Sequence, residues 1–226
     1  MASKSCWRRA AADATDRNRP EHRYPRGAIL AGGGARRFGG GAKGLASVGG
    51  ERILDALVST FRQALGSDPI LIANDPDAAN WHPGLRVVSD VRHGAGALGG
   101  LHTAVVAGPA PVVCVAWDMP FVPAGLITHL AATVELWDAV LPASEGRRGV
   151  EPLCAAYGPA CRIPMEDAID RGDLRAIAFH DAVKTCILPL EDVAGFGDPQ
   201  AMFFNVNTKE DLKRADELWR QHESSR

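Results

Sequence analysis

Residues 112–117, VVCVAW, are apolar without a break, and Asp118 ends the run. A strand with one wet face alternates apolar and polar side chains, so an unbroken run belongs to a strand buried on both faces. That burial calls for a mainly parallel sheet with helices packed on each side. The rest of the chain supplies the partners. Short apolar segments at Ala28–Ala31, Ile70–Ala73 and Leu85–Ser89, and within DAVLPA (138–143) and EPLCAAYG (151–158), read as strands. Ile53, Leu54, Leu57, Val58, Phe61 and Leu65 recur at helical spacing, and Gly66 closes that helix. Further helices are expected over 98–108, which is rich in small residues, and over Pro123–Trp137. An amphipathic helix closes the chain over Thr208–Gln221, with Thr208 as N-cap, Asp211 at the third position and Leu212, Ala215 and Leu218 on one face. Strands alternating with helices predict one α/β domain over residues 27–226. It is a Rossmann-like, doubly wound, mainly parallel sheet with helices on both faces.

With 226 residues the chain is long enough for one such core. Its formal net charge of −2 argues against a general nucleic-acid binder, and no apolar run approaches membrane-spanning length. Neither nucleic acid nor membrane is therefore expected as a partner, and a monomer or weak oligomer is. Cys6, Cys114, Cys154, Cys161 and Cys186 form no Cys-x-x-Cys pair, and the histidines are scattered. These features read as reduced thiols in a cytoplasmic protein without a zinc site. Residues 1–26 are rich in arginine and lack the apolar core of a secretory signal. They read as a disordered or loosely attached basic leader, or alternatively as a basic arm that contacts a partner such as RNA.

In a doubly wound sheet, ligands bind at the carboxyl ends of the strands. The first strand runs into GGGARRFGGGAKG (32–44), two glycine clusters with Arg36, Arg37 and Lys43. Backbone N–H groups surround phosphate oxygens only where no Cβ blocks them and positive φ is accessible, and cations neutralise the phosphate. The loop is not a Walker A loop, because Lys43 is followed by Gly44 rather than Ser or Thr. A mobile surface loop with solvated charges is the plainer alternative. Asp118 and Asp90 each end a strand, where a carboxylate either reaches a hard cation such as Mg²⁺ or caps the next turn. Gly94, Gly96, Gly99 and Gly100 follow Asp90 and admit either a flat base or close helix–sheet packing. Asn205 and Asn207 lie two apart in FFNVNT (203–208), which is expected to end the last strand. There they share a face toward a ligand, or Asn207 and Thr208 cap the helix.

Together, LAGGGARRFGGGAKGL (30–45), AND, VVSD, GALGG, WDMPF, EPLCAAY and NVNT resemble, in order, the molybdenum cofactor guanylyltransferases of the MobA-like nucleotidyltransferase group. The resemblance covers about residues 27–215. It implies that the terminal phosphate of molybdopterin attacks the α-phosphate of GTP, releasing pyrophosphate and forming a guanine dinucleotide cofactor. By motif position it implies that Leu30, Ala31, Gly32, Gly33 and Gly40 contact the nucleotide. Arg37 and Lys43 would bind phosphates. Asp90 would lie near guanine or ribose, Gly96 to Gly100 would line the base pocket, and Asp118 would hold Mg²⁺. Asn205 and Asn207 would lie near the pterin or the metal. Arg37, Lys43 and Asp118 are then the catalytic candidates, GTP and molybdopterin the small-molecule partners, and molybdoenzymes or their chaperones the recipients. Ala42 departs from the family pattern, which commonly has an acid before the lysine, and LIAND lacks the family's earlier asparagine. A cytidylyl or sugar-nucleotide transferase of the same fold, or a non-catalytic nucleotide-binding cofactor chaperone, are the alternatives.

Overall fold

The computed structural model describes residues 25–32 and 43–224. Nearly all of the expected leader, and Gly33, Arg37 and Gly40, lie outside the described residues, and Lys43 is described for its backbone alone. Arg26, placed in the leader from sequence, begins strand β1 (Arg26–Leu30), and its Nη2 donates to the carbonyls of Ala104, Gly108 and Ala110. The other strands are β2 (Ser47–Val48), β3 (Glu51–Arg52), β4 (Ile70–Ile72), β5 (Val87–Val88), β6 (Val112–Ala116), β7 (Ala139–Pro142), β8 (Cys154–Tyr157) and β9 (Thr185–Leu188). Seven of them form one sheet in the order β5-β4-β1-β6-β8-β7-β9. β1 pairs parallel with β4 and β6, β4 with β5, and β7 with β9. β8 is antiparallel to both its neighbours. The connection from β7 into β8 holds no helix and folds straight back, Ala143 bridging Val150 antiparallel across it, whereas a parallel return needs a crossover, usually helical.

Successive residues of the central strands point to opposite faces, and each face has its own core. Ile29, Leu71, Val113 and Val115 pack with Ile53, Leu57 and Phe61 of helix α1 (Ile53–Leu65). Leu126, Ile127 and Leu130 of α4 (Ala124–Thr133), the helix that comes after the short α2 (Ala78–Trp81) and α3 (Gly96–Val106), complete that layer. On the other face Ala28, Leu30, Ile70, Ile72, Val112 and Cys114 meet Leu98, Leu101 and Val105 of α3 and Met165 and Ala168 of α5 (Arg162–Asp170). The unbroken apolar run of β6 is thus accounted for by burial from both sides. Cys114, Cys154, Cys161 and Cys186 are buried free thiols, and burial pushes the Cys161 thiol up to about 12, which keeps it unreactive.

The chain ends with α6 (Leu190–Val193), α7 (Pro199–Met202) and α8 (Lys209–Ser224). Three expectations are corrected. The helix expected over Pro123–Trp137 stops at Thr133, and the strand expected over Leu85–Ser89 shortens to β5. Phe203–Asn207 is not a strand but irregular backbone. β9 and α5 were not foreseen. β9 alternates buried Cys186 and Leu188 with Ile187, which is 55% exposed, so an apolar residue on the open face hides the alternation. α5 buries only Met165 and Ala168 and carries Pro164, too little for a legible stripe.

Candidate active site

The carboxyl ends of β5, β4, β1 and β6 open on one edge of the sheet. At β1 the chain leaves through buried Ala31, whose N–H donates to Ile72 O at 2.8 Å, to exposed Gly32. It is described again at a 3₁₀ turn, Lys43–Leu45. The candidates Leu30, Ala31 and Gly32 and the backbone of Lys43 therefore do gather at the sheet edge. Gly44 sits against Trp117, the residue before Asp118. A Cβ there would overlap the indole Cε3 and lie 2.9 Å from Cδ2.

Asp90 follows β5 and is fixed by Asn74, which follows β4. Asn74 Nδ2 donates to Asp90 Oδ2 at 2.7 Å, and Asp90 N–H donates to Asn74 Oδ1 at 2.8 Å. The next residue, Val91, donates its N–H to Thr103 Oγ1 of α3 at 2.9 Å. Gly96 opens α3 with φ +58°, a conformation costly for any residue with a Cβ. A Cβ on Gly100 would lie 3.8 Å from Leu30 Cδ2 and 3.9 Å from Asp90 Oδ1. Leu30, Asp90 and Gly100 thus meet across three elements, with a smooth helical surface between them.

Asp118 follows β6, and its carbonyl accepts the Val206 N–H at 2.8 Å. That bond ties the irregular segment holding Asn205 and Asn207 to the backbone of Asp118. Asn205 Nδ2 donates to Phe203 O at 2.8 Å. Asp211 Oδ2 accepts the N–H groups of Asn207 and Thr208, while Thr208 Oγ1 accepts the Asp211 N–H at 3.0 Å. Thr208 and Asp211 form the capping box foreseen for α8. Asn207 contributes its backbone N–H to that cap.

Glu151 was not among the sequence candidates. β6 and β8 pair Val115 with Cys154, and Ala116 N–H donates to Leu153 O at 2.8 Å. The antiparallel pairing puts Glu151, just before β8, at the same end of the sheet as Asp118, just after β6, and the Asp118 charge acts on it. Burial is the main cause of a raised Glu151 pKa; the Leu153 N–H and Arg148 oppose it, and the Asp118 charge adds to it. Glu151 lines two adjoining cavities. One, about 470 Å³, includes Pro199, Gln200, Phe203, Phe204 and Asn205; the other, about 540 Å³, includes Arg147, Arg148 and Arg175. Ser144 and Gly146 border both. The available signal was an acid just before a buried strand, but it becomes informative only once that strand is known to run antiparallel.

A magnesium ion takes oxygen ligands, usually one or two carboxylates plus substrate phosphates. Asp118 Oδ1 is buried at the strand end with the Glu151 carboxyl nearby, and this donor set fits that demand. Among the described residues no group of three or more His, Cys, Asp or Glu gathers to hold a metal. No described helix is long and apolar enough to cross a membrane.

The MobA-like NTP transferase domain matches residues 27–184 of the chain. A molybdenum cofactor guanylyltransferase of Desulfosudis oleivorans is 31% identical over 193 residues, 84% of this chain and 93% of that protein. A probable molybdenum cofactor guanylyltransferase of Pelotomaculum thermopropionicum is 32% identical over 84% of this chain and 90% of its own length. The crystal structure of molybdopterin-guanine dinucleotide biosynthesis protein A from Archaeoglobus fulgidus superposes with a TM-score of 0.74 at 26% identity, covering 87% of this chain and 99% of that one. Domain match, relatives and architecture agree that the chain belongs to the MobA-like NTP transferases and is a nucleotidyltransferase.

Proposed function

We propose that the protein transfers GMP from GTP to the terminal phosphate of molybdopterin. The products are the guanine dinucleotide cofactor and pyrophosphate. The guanylyl and molybdopterin specificity is supported by the names of the relatives. The observation that carries the site is the position of Asp118 in the sheet. The glycine-loop ends, Asn74–Asp90 and α3 lie on the β5-β4-β1 side; the cavities around Glu151 lie on the β8-β7 side. Asp118, after β6, stands between a nucleotide half and an acceptor half.

In the reaction an acceptor phosphate oxygen bonds to the α-phosphorus while the bond to the β-phosphate's bridging oxygen breaks. Positioning and electrostatic stabilisation do most of the work, as in other phosphoryl transfers. Leu30, Ala31, Gly32, Gly33 and Gly40 would contact the nucleotide, the glycines through their backbone donors. Asp90, held by Asn74, and Gly96 to Gly100 would receive base and ribose. Arg37 would offer a planar fork to two phosphate oxygens, and Lys43 a point charge to the leaving pyrophosphate. Mg²⁺ bound at Asp118 would supply charge neutralisation to the phosphates. The acceptor phosphate is already ionised at neutral pH, so no general base is required. Phe203, Phe204 and Asn205 would flank the flat pterin, with Asn207 beside them and Glu151 at the junction. Arg147 and Arg148 would face its anionic groups. A cytoplasmic location and delivery to molybdoenzymes or their chaperones belong to the same reading.

Replacing Asp118 by Ala tests the site. GTP turnover is expected to fall by roughly two orders of magnitude or more, with an unchanged thermal unfolding midpoint. Unchanged turnover would remove Asp118 from the reaction.

A further inference from the structure

Trp117 joins three parts of the candidate site that are distant in sequence. Its backbone N–H donates to Leu30 O at 3.2 Å, where β1 hands over to the glycine loop. Its successor is Asp118. Its indole, in a residue only 3% exposed, lies directly against Gly44, so closely that a Cβ on Gly44 would overlap Cε3 and sit 2.9 Å from Cδ2 and 3.1 Å from Cζ3. The backbone of the Lys43–Leu45 turn therefore rests on the six-membered ring of the indole with no side chain between.

The ring is itself anchored. Trp81 of α2 stacks with it, centroids 5.1 Å apart and planes 23° apart. The Trp81 carbonyl accepts a hydrogen bond from Arg52 Nη1 at 3.1 Å, and Arg52 is paired with Asp55 in the first turn of α1. The turn is tied at its far end too, since Ile53 N–H donates to Ala46 O at 3.0 Å. The indole N–H is buried with no hydrogen-bond partner among the described residues.

We propose that Trp117 is a positioning residue for nucleotidyl transfer. Its indole is the platform that sets the Lys43–Gly44 turn at a fixed height above Asp118. The backbone that carries the cation proposed for the leaving group is thereby set, by one rigid aromatic ring, relative to the residue that carries the carboxylate proposed for the metal. The inference rests on the proposed transfer reaction at Lys43 and Asp118. A misplacement of about 1 Å in such an arrangement can cost on the order of a hundredfold in rate.

The test compares Trp117→Phe, Trp117→Leu and Gly44→Ala with Leu126→Ala, a core truncation in α4 away from the site. Each is assayed for pyrophosphate release with GTP and acceptor and for its unfolding midpoint. Trp117→Leu should lower kcat by about tenfold or more with a small change in KM for GTP, and Trp117→Phe should recover part of the loss. Leu126→Ala should match its stability loss without the kcat loss. Gly44→Ala should be harmful alone and less so beside Trp117→Leu, where the smaller side chain gives the new Cβ room. As a measurement on the native ring, GTP should change the fluorescence of a variant in which Trp7, Trp81, Trp137 and Trp219 are each replaced by Phe and Trp117 alone remains. Equal kcat losses in Trp117→Leu and Leu126→Ala, strict additivity of Gly44→Ala with Trp117→Leu, or bound GTP that leaves the fluorescence unchanged would each overturn the role. Absent turnover in the unmodified protein would count against the transfer reading instead.

Discussion

Asn74 and Asp90 show how a site residue is held by a neighbour that linear spacing does not reveal. Asp90 is legible as an acid ending a strand; Asn74 also ends one, but the family's earlier asparagine is missing before it, which counts against Asn74 as a nucleotide contact. The structure joins the two reciprocally, amide to carboxylate and backbone N–H to amide oxygen. The pair is exposed, so each bond counts for less than a buried charge-assisted one. Asn74→Ala should therefore raise KM for GTP about three- to tenfold with kcat nearly unchanged, measured by initial rates over a GTP titration. An unaffected KM would free Asp90 from dependence on Asn74. Glu151 was missed for a related reason. Its closeness to Asp118 depends on strand direction, and a short apolar segment does not declare whether it runs parallel or antiparallel to its neighbour.

Among the elements, those with a long periodic stripe or a complete capping pattern were readable, and those defined by contacts alone were not. α1 follows its apolar spacing from Ile53 to Leu65 and ends at Gly66, with φ +69° at the closing glycine. α8 starts where Thr208 and Asp211 cap each other. By contrast the hairpin of β2 and β3 is set by Gly49 and Gly50, at φ +61° and +86°, and has too few residues to show alternation. This hairpin carries α8: Gly49 N–H donates to Asp216 Oδ1 at 2.9 Å, and the Trp219 ring lies against Gly49. Gly49→Ala would strain the turn and push the ring away. It should cost about 1–3 kcal/mol of stability, read as a lower urea midpoint. Loss of α8 helicity at low urea, ahead of the main transition, would locate the damage at the docking. A variant as stable as the original would show that the helix docks without this contact.

At the scale of the whole molecule, the doubly wound α/β plan was visible in the alternation of segments, and the reversal of β8 was not. That reversal turns the start of β8 toward the same edge as the end of β6, which is where the proposed reaction needs its acceptor side. Beneath β8, Tyr157 stacks at 25° on the His180 ring, and Phe179 packs edge-on to His180 at 4.5 Å. Burial holds the His180 pKa down to about 4, with Asp181 acting against the shift. Folded His180 stays neutral until about pH 4, while the unfolded chain takes up a proton near pH 6.5. Its contribution to stability is thus complete above pH 6.5 and is lost as pH falls toward 4. Allowing for solvent screening, the loss should be about 1–2 kcal/mol, and His180→Phe should flatten that part of the unfolding midpoint against pH. An unchanged profile in the variant would assign the acid sensitivity elsewhere. The central claim, guanylyl transfer across Asp118, is tested most directly by incubating the protein and Mg²⁺ with molybdopterin and each of GTP, CTP, ATP and UTP in turn, and measuring pyrophosphate. The account predicts release with GTP that requires molybdopterin and is far slower with the other three; equal release from all four, faster release from CTP, or none at all would contradict it.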